Sequence, residues 1–131
     1  MLNQSAKQLE DLDTYLNTVE TYINITYAWR SYRLVIMPPS FPFGGMENPL
    51  LTFASPSIIT SNGQKSGVGV AIHEIAHSWT GNMVTCANWS NLWLNEGFTV
   101  FLERRADLVL FGADYYKTDA INGNNSMWTD M

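Results

Sequence analysis

Apolar residues near the amino end of the chain recur at three- and four-residue steps from Leu9 to Ile23. Charged and polar side chains occupy the positions between them, so the segment has one apolar face and one solvated face. This spacing predicts an amphipathic helix over about residues 5–22, which packs its apolar face on a core.

The middle of the chain favours short extended segments separated by prolines. Residues 33–37 form an apolar β-type run that ends at a pair of prolines. All five prolines lie between positions 38 and 56, and proline excludes a helix or a central strand from that stretch. A second strand is predicted over residues 51–59, interrupted at Pro56, and a polar loop follows at residues 61–67.

The second half of the chain predicts helices. One is expected over residues 68–82 and a longer one over 94–111, closed by Gly112 as its C-terminal cap. Another begins near residue 115, and the polar residues 122–131 are expected to fray. With short strands first and helices after, the predicted fold class is α+β, in one domain or part of one.

The composition narrows the possible partners. The 131 residues are 46% hydrophobic and 15% charged, which excludes a disordered chain, and the net charge of −5 argues against nucleic acid or an anionic membrane as partner. No apolar run is long enough to span a membrane, and the amino terminus does not resemble a secretory signal. The single cysteine, Cys86, is expected to be a buried small hydrophobe. One cysteine cannot form an internal disulfide, so nothing points to an oxidising compartment and a cytoplasmic location is predicted.

The chain has two histidines, His73 and His77, and Glu74 lies between them. Residues four apart share one face of a helix, so both imidazoles can bind one metal ion. Glu74 is rotated about 100° from His73, which places it off the metal but within reach of a water molecule. The alternatives are two ordinary core histidines or a closed structural zinc site, although such sites are usually rich in cysteine.

A catalytic zinc keeps three protein ligands and one open position, so a third ligand is needed. Since no histidine remains, the candidate is Glu96, at the start of the next predicted helix. The alternative is that Glu96 is no ligand and is simply an acidic residue favoured at the start of a helix by the helix dipole. Glu103, seven residues later on the same face, can orient a ligand imidazole or be a solvated charge. Three tryptophans are expected in the core rather than against a substrate: Trp79, Trp89 and Trp93.

The motif His-Glu-Ile-Ala-His at residues 73–77, followed by Glu96, is similar to that of the gluzincin metallopeptidases. The fingerprint Gly-Gly-Met-Glu-Asn at residues 44–48 is typical of the zinc aminopeptidases within that group. Longer strings, such as HEIAHSWTGN and NLWLNEGFTVFLERR, resemble the branch that contains leukotriene A-4 hydrolase and aminopeptidase B.

The resemblance implies a thermolysin-like zincin catalytic domain that binds one Zn²⁺ per chain. It implies that Glu74 is the general base and that the zinc ligands are His73, His77 and Glu96. It also implies a site for a peptide with a free amino terminus, in which Glu47 binds the α-amine and two glycines approach the peptide backbone. The substrate-binding residues implied in this way are Gly44, Gly45, Met46, Glu47 and Asn48. The residues implied to support the ligands are Asn95 and Glu103.

Members of this family are several times longer, because they carry a β domain before the catalytic domain and a helical domain after it. Their transition-state tyrosine lies further along the chain than residue 131. Residues 1–131 are therefore expected to be a partial catalytic domain whose surface packs on absent domains. The predicted function is hydrolysis of amino-terminal residues from peptides. The alternatives are a truncated module that binds zinc and peptide with little turnover, and a bifunctional enzyme that also hydrolyses an epoxide.

Overall fold

A computed structural model describes residues 6–60 and 67–129 of the protein, with side chains as far as Ser126. Two short 3-10 helices span Pro56–Ile58 and Trp89–Asn91. The other regular elements are, in chain order, α1 (Leu12–Ile23), β1 (Leu34–Ile36), β2 (Gly45–Met46), β3 (Thr52–Ala54), α2 (Val68–Ala76), α3 (Leu92–Phe111) and α4 (Ala113–Thr129). The predicted fold class is confirmed, since short strands precede the three consecutive helices α2, α3 and α4.

The described strands form one sheet in the order β1-β3-β2. The central strand β3 pairs in parallel with β1, with Leu34 opposite Thr52, and antiparallel with β2, with Gly45 opposite Ala54. The proline-rich stretch thus contributes only the two-residue edge strand β2, as proline allows. Thr52 and Ala54 are buried on the same face of β3, and α2 packs against β2 and β3. The sheet therefore lies beneath α2 and supports it.

The core lies where α1, α2 and α3 pack against one another. It is built from one apolar face of each helix, as the amphipathic pattern of the first helix predicts. Trp79, just after α2, closes this core and donates its indole N–H to the carbonyl of Ile25 at 2.9 Å. Each fully buried isoleucine contributes about 1.5–3 kcal/mol. The buried members of the cluster are Tyr15, Val19, Val68, Ile72, Ile75, Trp79 and Ala106.

The first helix and the second strand differ from their predicted bounds. Residues 6–8 are helical, but a turn over 9–11 separates them from α1, which begins at Leu12. The strand predicted over residues 51–59 ends at Ala54, because Ser55 accepts a hydrogen bond from the N–H of Ser57 and caps a 3-10 helix. The predicted polar loop lies outside the described residues apart from Gly67.

The helix predicted over residues 68–82 ends at Ala76. The N–H groups of Ser78 and Trp79 bond to carbonyls three residues back, at 3.0 and 3.1 Å, so the chain tightens and then turns. Gly81, at φ 143°, lies in a backbone region that side chains with a Cβ disfavour. The sharp turn follows from this glycine and returns the chain towards α3.

The last two helices run longer than predicted. Helix α3 begins at Leu92 and ends at Phe111, where Gly112 caps it at φ 88° with its N–H bonded to the Leu108 carbonyl. Helix α4 continues to Thr129, so the prediction that residues 122–131 fray is wrong for 122–129. Packing overrides the weak local propensity, because Gly123 lies against the guanidinium of Arg104 on α3.

The tryptophan prediction holds for one residue of three. Trp79 is buried, but Trp89 is 84% exposed and Trp93 66% exposed, so their assignment to the core is wrong. Trp89 begins the 3-10 helix before α3, and Trp93 lies in the first turn of α3. Cys86 is half-buried rather than buried. No helix in the described ranges is long and apolar enough to cross a membrane.

Asp107 on α3 is a buried carboxyl in this helical core. It is 1% exposed, and its Oδ1 has no hydrogen-bond partner in the described part of the chain. Burial, together with the charges of Glu103 and Asp119, raises the pKa of Asp107 to about 7 against the opposing effect of Arg104. Since the usual value is 3.8, the folded chain binds more protons than the unfolded chain between about pH 4 and 7. Stability therefore falls as the pH rises through this range.

Asp107→Asn keeps the shape of the side chain and removes the buried charge. We expect the free energy of unfolding to rise, with a gain about 2–3 kcal/mol larger at pH 8 than at pH 5. Denaturant unfolding of the zinc-free chain at both pH values measures the difference. Asp13→Asn on the exposed face of α1 is the matched control and should show no such pH dependence. Equal gains for Asp107→Asn at both pH values would contradict the prediction.

Candidate metal centre

Helix α2 and the start of α3 bring three ligand atoms together. His73 Nε2 and His77 Nε2 lie 3.1 Å apart, and Glu96 Oε2 is 3.4 Å from each of them. Neighbouring ligands of a tetrahedral zinc with bonds of about 2.0–2.1 Å lie about 3.3 Å apart. These residues form a group that could hold a metal ion, and their spacing fits zinc.

The imidazole of His73 is oriented from behind by Glu103. Its Nδ1–H donates to Glu103 Oε2 at 2.9 Å, which leaves the lone pair of Nε2 for a metal. Burial alone lowers the pKa of His73, but the hydrogen bond and charge of Glu103, with the charges of Glu74 and Glu96, outweigh it and leave the pKa raised. This contact is the one expected of a carboxylate that supports a ligand.

His77 is fixed by backbone and hydroxyl groups. It is 2% exposed, and its Nδ1–H donates to the carbonyl of Thr80 at 3.0 Å, so Nε2 is again the free nitrogen. Thr99 Oγ1 lies 3.0 Å from the same Nδ1 and donates to the Thr80 carbonyl at 2.8 Å. A Cβ added at Gly81 would lie 2.9 Å from that Nδ1, so a larger residue there would push the ring.

Three residues of the site were not predicted from the sequence: Thr80, Thr99 and Gly81. Thr99 could have been found, because it follows Glu96 by three positions and therefore shares its face of α3. The contribution of Thr80 comes from a backbone carbonyl, which any residue supplies. The identity of that residue therefore carries no signal of its role.

Glu74 lies beside the ligand atoms rather than among them. It is 5% exposed, and its carboxylate lies over Gly45 of β2, where an added Cβ would overlap Oε1. Burial is the main cause that raises the pKa of Glu74 to about 7. His73 opposes the rise, and the carboxylates of Glu47, Glu96 and Glu103 contribute to it. A carboxyl in this position can exchange a proton near neutral pH.

Two cavities meet at this centre. The first, of about 340 Å³, is bounded by the ligands, Glu74, Glu103 and the two glycines at 44 and 45. The second, of about 740 Å³, is lined by apolar side chains that include Phe43, Met46 and Trp89. Glu47 lines both, and its Oε1 is 3.8 Å from His77 Nδ1. A ligand that spans both cavities therefore passes this carboxylate.

Two residues of the predicted site serve the local backbone. Asn95 accepts a hydrogen bond from the N–H of Cys86 at 2.9 Å, which ties the loop before α3 to that helix. Asn48 lies in a turn, where its N–H donates to the Met46 carbonyl and its own carbonyl accepts from Leu51. Asn82 also holds this stretch, since its side-chain amide donates to the carbonyl of Glu47 at 2.6 Å.

Known proteins resemble this chain in sequence and fold. Leucine aminopeptidase 2 of Phaeosphaeria nodorum is 45% identical over 123 residues, which are 93% of this chain and 19% of that protein. Aminopeptidase B of Homo sapiens is 56% identical over 97 residues, which are 74% of this chain and 15% of that protein. The structure of native leukotriene A4 hydrolase from Saccharomyces cerevisiae matches with a TM-score of 0.85 and 38% identity, over 94% of this chain and 19% of that one.

These similarities define the chain as a homologue of aminopeptidases. More narrowly, a model of the peptidase family M1 domain matches residues 7–130, and the chain belongs to that family. The family resemblance predicted from the motifs is thereby confirmed. Peptidases of this family depend on zinc in general, which agrees with the spacing of the three ligand atoms. The chain spans less than a fifth of the length of the relatives described above.

His77→Ala should remove stoichiometric zinc from the chain, because the two remaining ligands cannot complete a three-ligand site. Metal analysis after dialysis against limiting zinc measures the loss. Glu10→Ala, at an exposed position near α1, is the control and should retain one equivalent. A full equivalent of zinc in His77→Ala would exclude His77 as a ligand.

Proposed function

We propose that this chain is the zinc-binding catalytic core of an aminopeptidase that removes amino-terminal residues from peptides. The observation that carries the proposal is the convergence of His73, His77 and Glu96 beside a buried Glu74 that is not a ligand. One zinc per chain is proposed, held by two Nε2 atoms and one carboxylate oxygen. Membership in the M1 family and the similarity to named aminopeptidases support this assignment.

The metal, Glu74 and the groups that hold the two imidazoles each have a separate role in the proposed reaction. Bound zinc would supply a Lewis acid that polarises the peptide carbonyl and acidifies water. Glu74 accepts the proton of the attacking water on its carboxylate and passes it to the departing amine. Glu103 and the Thr80 carbonyl keep the two imidazoles in the tautomer that presents Nε2.

Glu47 accounts for specificity towards a free amino terminus. Its carboxylate lines both cavities and is partly buried, so an ammonium placed there gains a charge-assisted hydrogen bond. Gly44 and Gly45 border the first cavity, where the absence of side chains lets a peptide backbone approach. The substrate proposed is therefore a peptide with a free α-amine at Glu47 and its first peptide bond at the metal.

The second candidate is a module that binds zinc and peptide with little turnover. The observation that favours this candidate is the exposure of one proposed ligand. Glu96 is 48% exposed, whereas His73 and His77 are more buried. Solvent near the metal weakens the electrostatic stabilisation on which hydrolysis depends. Turnover of an aminoacyl amide, with and without a chelator, separates this candidate from the enzyme. Epoxide hydrolysis stays a prediction, because it rests on similarity to leukotriene A4 hydrolase alone.

Exposed apolar side chains around the start of α3 bear on what surrounds this chain. Trp89, Trp93 and Phe98, in or just before the first part of α3, are exposed large apolar side chains. We propose that further domains of a longer protein cover them, as the length of the relatives suggests. Cytoplasmic location and the exclusion of nucleic acid and membrane partners stay predictions.

Glu74→Gln should keep zinc but abolish hydrolysis, because the amide fills the same space and cannot accept the proton of water. Metal analysis and a chromogenic aminoacyl amide assay are run on the same preparation. A longer protein that contains this segment is the second background if the chain alone is too slow to measure. Either loss of metal or retained hydrolysis would show that the role given to Glu74 is wrong.

Glu47→Ala should weaken the handling of free-amine peptides far more than that of amino-blocked ones. A charge-assisted hydrogen bond contributes about 1.5–3 kcal/mol, so the expected loss of binding is roughly 10- to 150-fold. Binding of a free and an acetylated peptide to the zinc-loaded chain gives the ratio. Glu47→Gln keeps a hydrogen-bond acceptor but no charge, so its affinity for the free-amine peptide should lie between those of the unaltered chain and Glu47→Ala. Equal losses for both peptides would remove Glu47 from this role.

A further inference from the structure

Two buried polar atoms near the sheet have no hydrogen-bond partner among the described residues. The hydroxyl oxygen of Tyr32 and Oε2 of Glu74 are both inaccessible to solvent, and neither makes a hydrogen bond with any described residue. A buried polar group without a partner costs about 1–3 kcal/mol, and such groups are almost always satisfied by protein or ordered water. Both atoms are therefore expected to have a hydrogen-bond partner.

The fold places these two atoms in the same layer. Tyr32 precedes β1, and the carbonyl of the next residue, Arg33, accepts the N–H of Thr52 at 2.8 Å. Thr52 is buried on the face of β3 that α2 covers, and the Glu74 carboxylate reaches the same sheet at Gly45. The Tyr32 hydroxyl lies near the Thr52 side chain, so it and the Glu74 carboxylate both lie on the side of the sheet that α2 covers.

The chemistry of the two atoms is complementary. A tyrosine hydroxyl donates one hydrogen bond, whereas an ionised carboxylate only accepts. Burial raises the pKa of Tyr32 far above its usual range, and the negative charge of Glu74 adds to the rise, so the hydroxyl keeps its proton in the field of that carboxylate. The Thr52 side chain lies near the same hydroxyl and lowers its pKa, but no hydrogen bond of ordinary geometry joins the two groups.

We infer that Tyr32 is a positioning residue for Glu74, with its hydroxyl group donating a hydrogen bond to one buried water that in turn donates to Oε2 of Glu74. Oε1 is then the oxygen that remains for a water molecule in the cavity beside Gly45. The value of this contact for catalysis rests on the proposed function, whereas the contact itself is independent of any turnover.

The aromatic neighbours keep Tyr32 in place. Its ring meets that of Tyr27 edge to face with centroids 6.3 Å apart, and Tyr27 in turn packs on Trp79 of the core at 5.9 Å. Tyr32→Phe retains this packing and removes only the hydroxyl. Tyr27→Phe removes a hydroxyl from the same cluster without touching Glu74, so it is the matched control.

A double-mutant cycle on the full chain without metal tests the contact. Tyr32→Phe should lower the melting temperature by about 3–5 °C when Glu74 is present, the shift that one hydrogen bond produces at this chain length. In a Glu74→Ala background the same change should cost little, whereas Tyr27→Phe should cost the same in both backgrounds. Additive shifts for Tyr32→Phe and Glu74→Ala would overturn the inference, even if the chain hydrolyses peptides.

A second measurement avoids any change at position 32. In the unaltered chain, NMR should show a slowly exchanging Tyr32 hydroxyl proton, and Glu74→Ala should shift it or accelerate its exchange. Where hydrolysis is measurable, Tyr32→Phe should lower kcat several-fold and leave KM nearly unchanged. A hydroxyl proton that does not respond to Glu74→Ala would overturn the contact, whereas absent hydrolysis alone would bear only on the proposed function.

Discussion

The burial of α2 between the sheet and α3 is the constraint on which the rest of the structure depends. Its nine residues carry apolar side chains into the core on one side and His73 and Glu74 towards the site on the other. Rotation of this helix to expose the polar residues would bring Ile72 and Ile75 into water at about 1.5–3 kcal/mol each. The apolar face thus holds the chemical groups where a metal and a substrate can reach them.

Burial of charged groups has a cost that the surrounding residues partly offset. Each imidazole gives its Nδ1–H to an oxygen, one on the side chain of Glu103 and one on the backbone of Thr80. These contacts fix which nitrogen faces the metal before any metal arrives, so little reorganisation is needed on binding. Gly81 is the residue that lets the backbone pass close enough to His77 for this to happen.

The sequence predicts those parts of the molecule that depend on local pattern. The spacing of His73 and His77 and the position of Glu96 after a turn were enough to predict that three ligand atoms meet. Contacts that come from the path of the backbone could not be predicted in this way. The Thr80 carbonyl carries no residue signal, and the contact proposed between Tyr32 and Glu74 depends on the pairing of β1, which Tyr32 precedes, with β3.

Packing between elements explains the other differences. The polar residues 122–129 have weak helix propensity, yet α4 extends through them because it lies along α3 and joins it through Arg104 and Asp119, 3.0 Å apart. Trp89 and Trp93 are large apolar residues typical of a core, but the core cluster is built from other side chains of α1, α2 and α3 together with Trp79, and both rings stay exposed. Hydrophobicity alone does not say which surface a ring will cover.

The balance of charge at the centre connects the fold to its ligands. Four carboxylates, those of Glu47, Glu74, Glu96 and Glu103, surround two imidazoles. Like charges at this separation repel, and the raised pKa of Glu74 reports that repulsion together with its burial. A divalent cation at the three ligand atoms offsets part of this charge, and an ammonium at Glu47 offsets more. The same carboxylates that repel one another therefore favour cations, as the proposed metal site and the proposed amino-terminus site require.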